Sequence, residues 1–246
     1  MRLEPGTVHV WCASLGGASA LAARFRNELS ADERDRAARF RLAVHRDRYI
    51  AGRGIVRDVL ARYTGLAAGE LSFSYGRHGK PSLAGAARRS GPSFSVSHSR
   101  DRVVCAVCRG RAVGVDIEAM RPVAEAAALA ARFFGPGSGQ ALVALLPPGR
   151  DRALLEQWAR REAAVKGEGG SIWGSRGSYD PSGPGEAMAA LEAPGAGVGC
   201  RCHVQALALG SGCVGALATI GRDPVRVVVF EWAGRARGPE PGRRQA

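Results

Sequence analysis

The stretch SFSVSHSRDRVVCAVCRGRAVGVDIE, residues 93–118, decides the fold class. Phe94, Val96 and His98 alternate with Ser93, Ser95 and Ser97, which is the period of a strand. Residues 103–108 and 112–118 read as two further short strands. Towards the N-terminus, residues 71–75 alternate as a strand, 76–81 form a turn and 82–92 a loop. Before them, residues 46–63 form a helix that Gly65 can stop. Ser30 and Glu33 make a capping box for a helix running to about Arg41. Residues 18–29 read as a helix and 7–13 as a strand. Towards the C-terminus, helices are expected over 124–134, 138–146 and 151–166, and strands over 202–209, 212–219 and 225–232. Residues 174–199, rich in Gly, Pro and Ser, read as a mobile loop, and the basic tail from 234 as disordered. Strands and helices without a regular βαβ rhythm indicate an α+β fold.

Composition narrows the function. The chain has 246 residues, 46% of them apolar, which excludes a disordered protein. No apolar run approaches the roughly 18 residues that span a bilayer, and the N-terminus lacks a signal peptide's apolar stretch. A cytoplasmic protein with no membrane partner is expected. The net charge of +13 favours polyanionic partners such as nucleic acid, a phosphorylated small molecule or an acidic protein. A basic nucleic-acid-binding domain is the alternative reading. Aromatic residues make up only 6% and form no stacking stripe, so nucleic acid is not the expected partner. Cys105-x-x-Cys108 and Cys200-x-Cys202 have zinc-like spacing, but both fall in strand-like segments and read as reduced strand cysteines.

Four features carry chemistry. In Gly114-Val-Asp-Ile-Glu118, Asp116 and Glu118 share one strand face, as on a solvated edge or around a hard cation. On the 151–166 helix, Glu162 and Lys166 fall about 40° and 80° from Trp158, on the face that Leu155 and Val165 should bury. An i,i+4 pair contributes only about 0.3 kcal/mol and does not account for that location. A cation held by Glu162 with Asp116 and Glu118 does. The strand ending at His98 offers serine hydroxyls and amides as partners for phosphate oxygens. Gly79-Lys-Pro81 presents one lysine on a turn.

Taken together and in order, Gly79-Lys-Pro81, Phe94-Ser-Val-Ser-His-Ser99, Gly114-Val-Asp-Ile-Glu118 and Trp158-Ala-Arg-Arg-Glu-Ala-Ala-Val-Lys166 resemble the Sfp-type 4′-phosphopantetheinyl transferases. The resemblance spans about Ser30 to Ile172. It implies two similar α/β lobes related by a pseudo-two-fold axis, over 1–111 and 112–233, with the active site in the cleft between them. It implies a monomeric enzyme that moves phosphopantetheine from coenzyme A to a serine of an acyl- or peptidyl-carrier protein. By this resemblance Asp116, Glu118 and Glu162 are magnesium ligands, and Glu162 and Lys166 are catalytic. Lys166 also lies near the pyrophosphate, Ser97 and His98 contact nucleotide phosphates, Lys80 belongs to the adenine-side loop, and Arg48 and Arg53 face the 3′-phosphate. One departure is Arg161 before Glu162, where the family commonly has lysine.

Overall fold

The computed structural model describes residues 1–89, 91–170, 187–191, 200–221 and 223–234. In chain order these form β1 (Thr7–Ser14), α1 (Ala18–Phe25), α2 (Ala31–Ala38) and α3 (Ala43–Thr64). Then come β2 (Phe73–Tyr75), β3 (Pro81–Leu83), β4 (Ser93–Ser99), β5 (Arg102–Cys108) and β6 (Val113–Ala119). The helices α4 (Ala126–Phe134), α5 (Pro136–Val143) and α6 (Gly149–Glu168) follow. Last are β7 (Ala187–Leu191), β8 (Cys200–Ala206), β9 (Cys213–Ile220) and β10 (Arg226–Glu231).

Two four-stranded sheets organise this mixed α and β fold, one in the order β10-β1-β5-β4, the other β6-β9-β8-β7. Strand periodicity explains how they stack. In β5, Val103, Cys105 and Val107 face a core shared with Ile55, Val59 and Leu60 of α3. Val104, Ala106 and Cys108 face the other way, onto Val113, Val115 and Ile117 of β6 and Leu217 of β9. A strand buried on both faces has no polar alternation, and β5 accordingly reads as one apolar run. The second sheet's far face takes Ala159, Ala163 and Ala164 of α6 against Cys202, Val204, Ala216 and Ala218. The layers are therefore α3, sheet, sheet and α6.

Cys105 and Cys108 point to opposite faces of β5, which prevents their joint ligation of one ion. Gly65 ends α3 at φ +74°, the left-handed conformation that glycine adopts without steric cost. Two expectations are corrected. The segment read as a loop over 82–92 includes part of β3, which pairs antiparallel with β2, Tyr75 opposite Pro81. The span read as a mobile loop over 174–199 includes β7, which pairs with β8; its remaining residues lie outside those described, as does the tail from 235. β10 lies parallel to β1, Thr7 opposite Arg226, and so joins the first sheet.

Candidate active site

The edge strands β4 and β6 lie side by side but share no ladder. Serine side chains join them instead. The Oγ atoms of Ser95, Ser97 and Ser99 accept from the backbone N–H groups of Val115 (3.1 Å), Ile117 (3.3 Å) and Ala119 (3.0 Å). With Val115 and Ile117 turned inward, Gly114, Asp116 and Glu118 occupy the face towards α6. A Cβ at Gly114 would stand 2.0 Å from the Ala163 carbonyl oxygen and 2.3 Å from the Gly167 nitrogen. Only glycine allows α6 this close to β6. That approach brings Lys166 Nζ to 2.6 Å from Asp116 Oδ1.

Asp116 is 4% exposed. Burial raises its pKa, and the ion pair with Lys166 opposes the rise. Its second oxygen, Oδ2, is buried and accepts no hydrogen bond from any described residue. Glu162, one helical turn before Lys166, is half-buried, and desolvation pushes its pKa up to about 7. Lys166 lowers it, while the neighbouring charges of Asp116 and Glu118 raise it. Glu118 accepts from Arg121 Nη1 at 2.9 Å. Arg161 donates to the Phe133 carbonyl and so ties α4 to α6.

A hard divalent cation suits part of this arrangement. Among the described residues no three carboxylate, imidazole or thiol groups converge as a ready ligand set. The donor chemistry fits, because Asp116, Glu118 and Glu162 supply oxygen ligands alone, they interact electrostatically, and one buried carboxylate oxygen lacks a donor.

Beside these groups opens a cleft of about 460 Å³. Arg36, Arg48, Tyr49, Arg53, His98 and Arg100 are among its lining residues. The surrounding protein and Lys166 press the His98 pKa below the ordinary histidine value. Arg53 reaches the cleft with its charge only partly offset: Nε donates to Glu33 Oε1 at 2.7 Å, and Nη2 to the neutral Tyr75 hydroxyl at 3.3 Å. Arg57 donates to the other Glu33 oxygen at 2.7 Å. The capping-box glutamate thus also serves as the shared counter-ion of the buried Arg57 and the part-buried Arg53. Its role at the helix terminus was legible in the sequence; its long-range partners were not.

Two residues are placed differently from expectation. Ser97 is 4% exposed and turns inward, because alternation directs every second residue of β4, and so Ser95, Ser97 and Ser99 together, at β6. Lys80 does not line the cleft with Arg48 and His98. Its Nζ donates to the Val113 carbonyl at 3.1 Å and the Gly167 carbonyl at 2.9 Å. Carbonyls at the end of α6 lack intrahelical partners and attract a cation. Gly79 and Pro81 line the cleft on either side of Lys80. Lys80 therefore clasps the cleft-lining turn to the end of the helix that carries Glu162 and Lys166.

Burial lowers the Lys80 pKa from 10.5 to about 8. Between these values the unfolded chain binds the proton more tightly, so Lys80 makes stability rise with pH across that window. Urea unfolding at pH 8 and pH 10 should show a gain for the wild type relative to Lys80→Met. An equal response of the two proteins would contradict the burial of an ammonium at this clasp.

Comparison with known proteins agrees with these features. Residues 20–109 match the family profile described as 4′-phosphopantetheinyl transferase, N-terminal, and residues 112–178 that of the 4′-phosphopantetheinyl transferase superfamily. The chain belongs to this superfamily of transferases. It is 36% identical over 172 residues to the 4′-phosphopantetheinyl transferase HetI of Nostoc sp. (strain PCC 7120), a match covering 70% of this chain and 73% of that relative. Identity to AcpT of Escherichia coli (strain K12) is 32%, covering 52% of this chain and 60% of AcpT. Identity to Sfp of Bacillus subtilis (strain 168) is 28%, covering 59% of this chain and 62% of Sfp.

Proposed function

We propose that this protein transfers the 4′-phosphopantetheine group of coenzyme A to a serine hydroxyl of an acyl- or peptidyl-carrier protein, with magnesium, releasing adenosine 3′,5′-bisphosphate. The observation that carries the reading is the meeting of Asp116 and Lys166, with Glu162 one turn away, beside an arginine-lined cleft. Arg48 and His98 would take the nucleotide phosphates, with Arg53 held by Glu33 behind them. Lys80 would support the adenine-side turn through its backbone clasp. Asp116, Glu118 and Glu162 would hold the magnesium ion. Bound there, the metal would neutralise charge on the pyrophosphate.

The chain's own residues supply the remaining chemistry. Glu162, one turn from Lys166 on the same helix, takes the proton of the attacking serine hydroxyl. The serine oxygen forms a bond to the β-phosphorus as the bond to the bridging oxygen breaks. Lys166 donates a charge-assisted hydrogen bond to that departing oxygen. In this reading the two sheets form the cores of two lobes, 1–111 and 112–233, about a pseudo-two-fold axis, with β10 of the second lobe completing the first sheet. Each sheet packs against one long helix, α3 or α6, in support of that view. The net charge of +13 suits carriers that are acidic around the modified serine, and the buried thiols of Cys12 and Cys105 suit an enzyme, read here as a monomer, working in the reducing cytoplasm. Among the described residues no helix is long and apolar enough to cross a membrane.

Intact-mass spectrometry of apo-carrier proteins incubated with the enzyme, coenzyme A and magnesium tests the reaction. One added phosphopantetheine per carrier is expected, and unmodified carriers across a broad panel would refute the assignment. Dephospho-coenzyme A should bind more weakly than coenzyme A; equal affinity in calorimetry would remove Arg48 and Arg53 as 3′-phosphate contacts.

A further inference from the structure

Ser95, Ser97 and Ser99 stand opposite Gly114, Asp116 and Glu118 in matching steps of two. Each serine accepts one N–H from β6, and two of them also engage the carboxylate beside that N–H. Ser97 Oγ donates to Asp116 Oδ1 at 2.8 Å, and Ser99 Oγ lies 3.4 Å from Glu118 Oε2. Ser95 faces a glycine and holds backbone alone. Ser97 has a third partner, since it accepts from Lys166 Nζ at 3.2 Å.

A hydroxyl has one proton to donate and two lone pairs to accept with. Ser97 commits the proton to Asp116 and the lone pairs to Ile117 N–H and Lys166. No capacity remains for a phosphate oxygen. We propose that Ser97 is a positioning residue that locks Asp116 and Lys166 in register with β6, and that Ser99 plays the weaker equivalent part for Glu118. The inference rests on the proposed transferase reading. It assigns Ser97 an effect on metal affinity and turnover, transmitted through Asp116 and Lys166, and none on direct nucleotide contact.

Ser97→Ala, Ser97→Thr and Ser95→Ala separate these roles. Ser95→Ala removes a neighbouring bond of the same seam and reports the purely structural cost. The readouts are the urea midpoint, coenzyme A affinity by calorimetry without metal, Mn²⁺ binding to the coenzyme A complex by electron paramagnetic resonance, and steady-state kinetics with a carrier. Ser97→Ala should weaken Mn²⁺ binding and lower kcat by about tenfold or more, the usual effect of losing a bond that orients a metal ligand. Coenzyme A affinity should change less than threefold. Ser97→Thr keeps the hydroxyl and should restore most of both losses. Ser95→Ala should lower the urea midpoint similarly while leaving Mn²⁺ affinity within threefold. Weaker coenzyme A binding with unchanged Mn²⁺ affinity would make Ser97 a nucleotide contact and overturn the proposal. So would equal kinetic losses in Ser97→Ala and Ser95→Ala. Failure of the wild type to bind coenzyme A or Mn²⁺ would instead overturn the transferase reading beneath it.

Discussion

Glu162→Gln should lower turnover roughly a thousandfold while coenzyme A still binds, in line with the loss of a general base. The substitution keeps size and removes the negative charge. Glu162 sits half-buried on α6, one turn from Lys166 and within electrostatic reach of Asp116 and Glu118. No surface pairing explains a carboxylate in that place. Neutralising it removes the proposed proton acceptor and one magnesium ligand together, so added magnesium should rescue poorly. Lys166→Ala serves as the comparison. It leaves all three carboxylates in place and should cost about a hundredfold, typical of losing one transition-state donor. Turnover and coenzyme A affinity across a magnesium titration distinguish the two variants. Near-normal turnover of Glu162→Gln at saturating magnesium would show that Glu162 is neither base nor essential ligand.

Gly114→Ala should be about as damaging as Lys166→Ala although it adds one methyl group and touches no substrate. The new Cβ would have to displace backbone, the Ala163 carbonyl at 2.0 Å and the Gly167 nitrogen at 2.3 Å. Backbone cannot rotate away as a side chain can, so α6 must move off β6. Overpacking of this kind costs about 1–3 kcal/mol of stability. A shift of about 1 Å between α6 and β6 would separate Lys166 and Glu162 from Asp116 and lower turnover about a hundredfold. Gly137→Ala is a suitable control, since its Cβ would meet nothing within 4 Å on α5. Urea midpoints and turnover of both variants test the contact. Wild-type behaviour of Gly114→Ala would mean that the helix and strand tolerate separation.

The sequence disclosed the local order of this protein far better than its long-range partnerships. The strands around 93–118, the capping box at Ser30 and Glu33 and the glycine stop at residue 65 were legible because each depends on near neighbours. So was the shared face of Asp116 and Glu118, which follows from strand period alone. The inward turn of Ser97 was not, because alternation gives two faces without saying which one meets another sheet edge. Nor was the attachment of Arg53 to Glu33, twenty positions away, or of Lys80 to the end of α6. Those contacts depend on how separate elements dock. Gly114 gave a faint signal, as a glycine inside a strand often marks a close backbone approach.

The parallel pairing of β1 with β10 joins the start of the chain to a strand made long after it. On a ribosome, the first sheet would have to wait until β10 is made before β1 gains its second neighbour. Until then β1 is an open edge carrying Val8, Val10 and Trp11, a template on which nascent chains can stick to one another. Closing so long a loop also slows the search for the native pairing. Expression trials that truncate the chain before Arg226 should therefore yield aggregates, whatever the state of the catalytic residues.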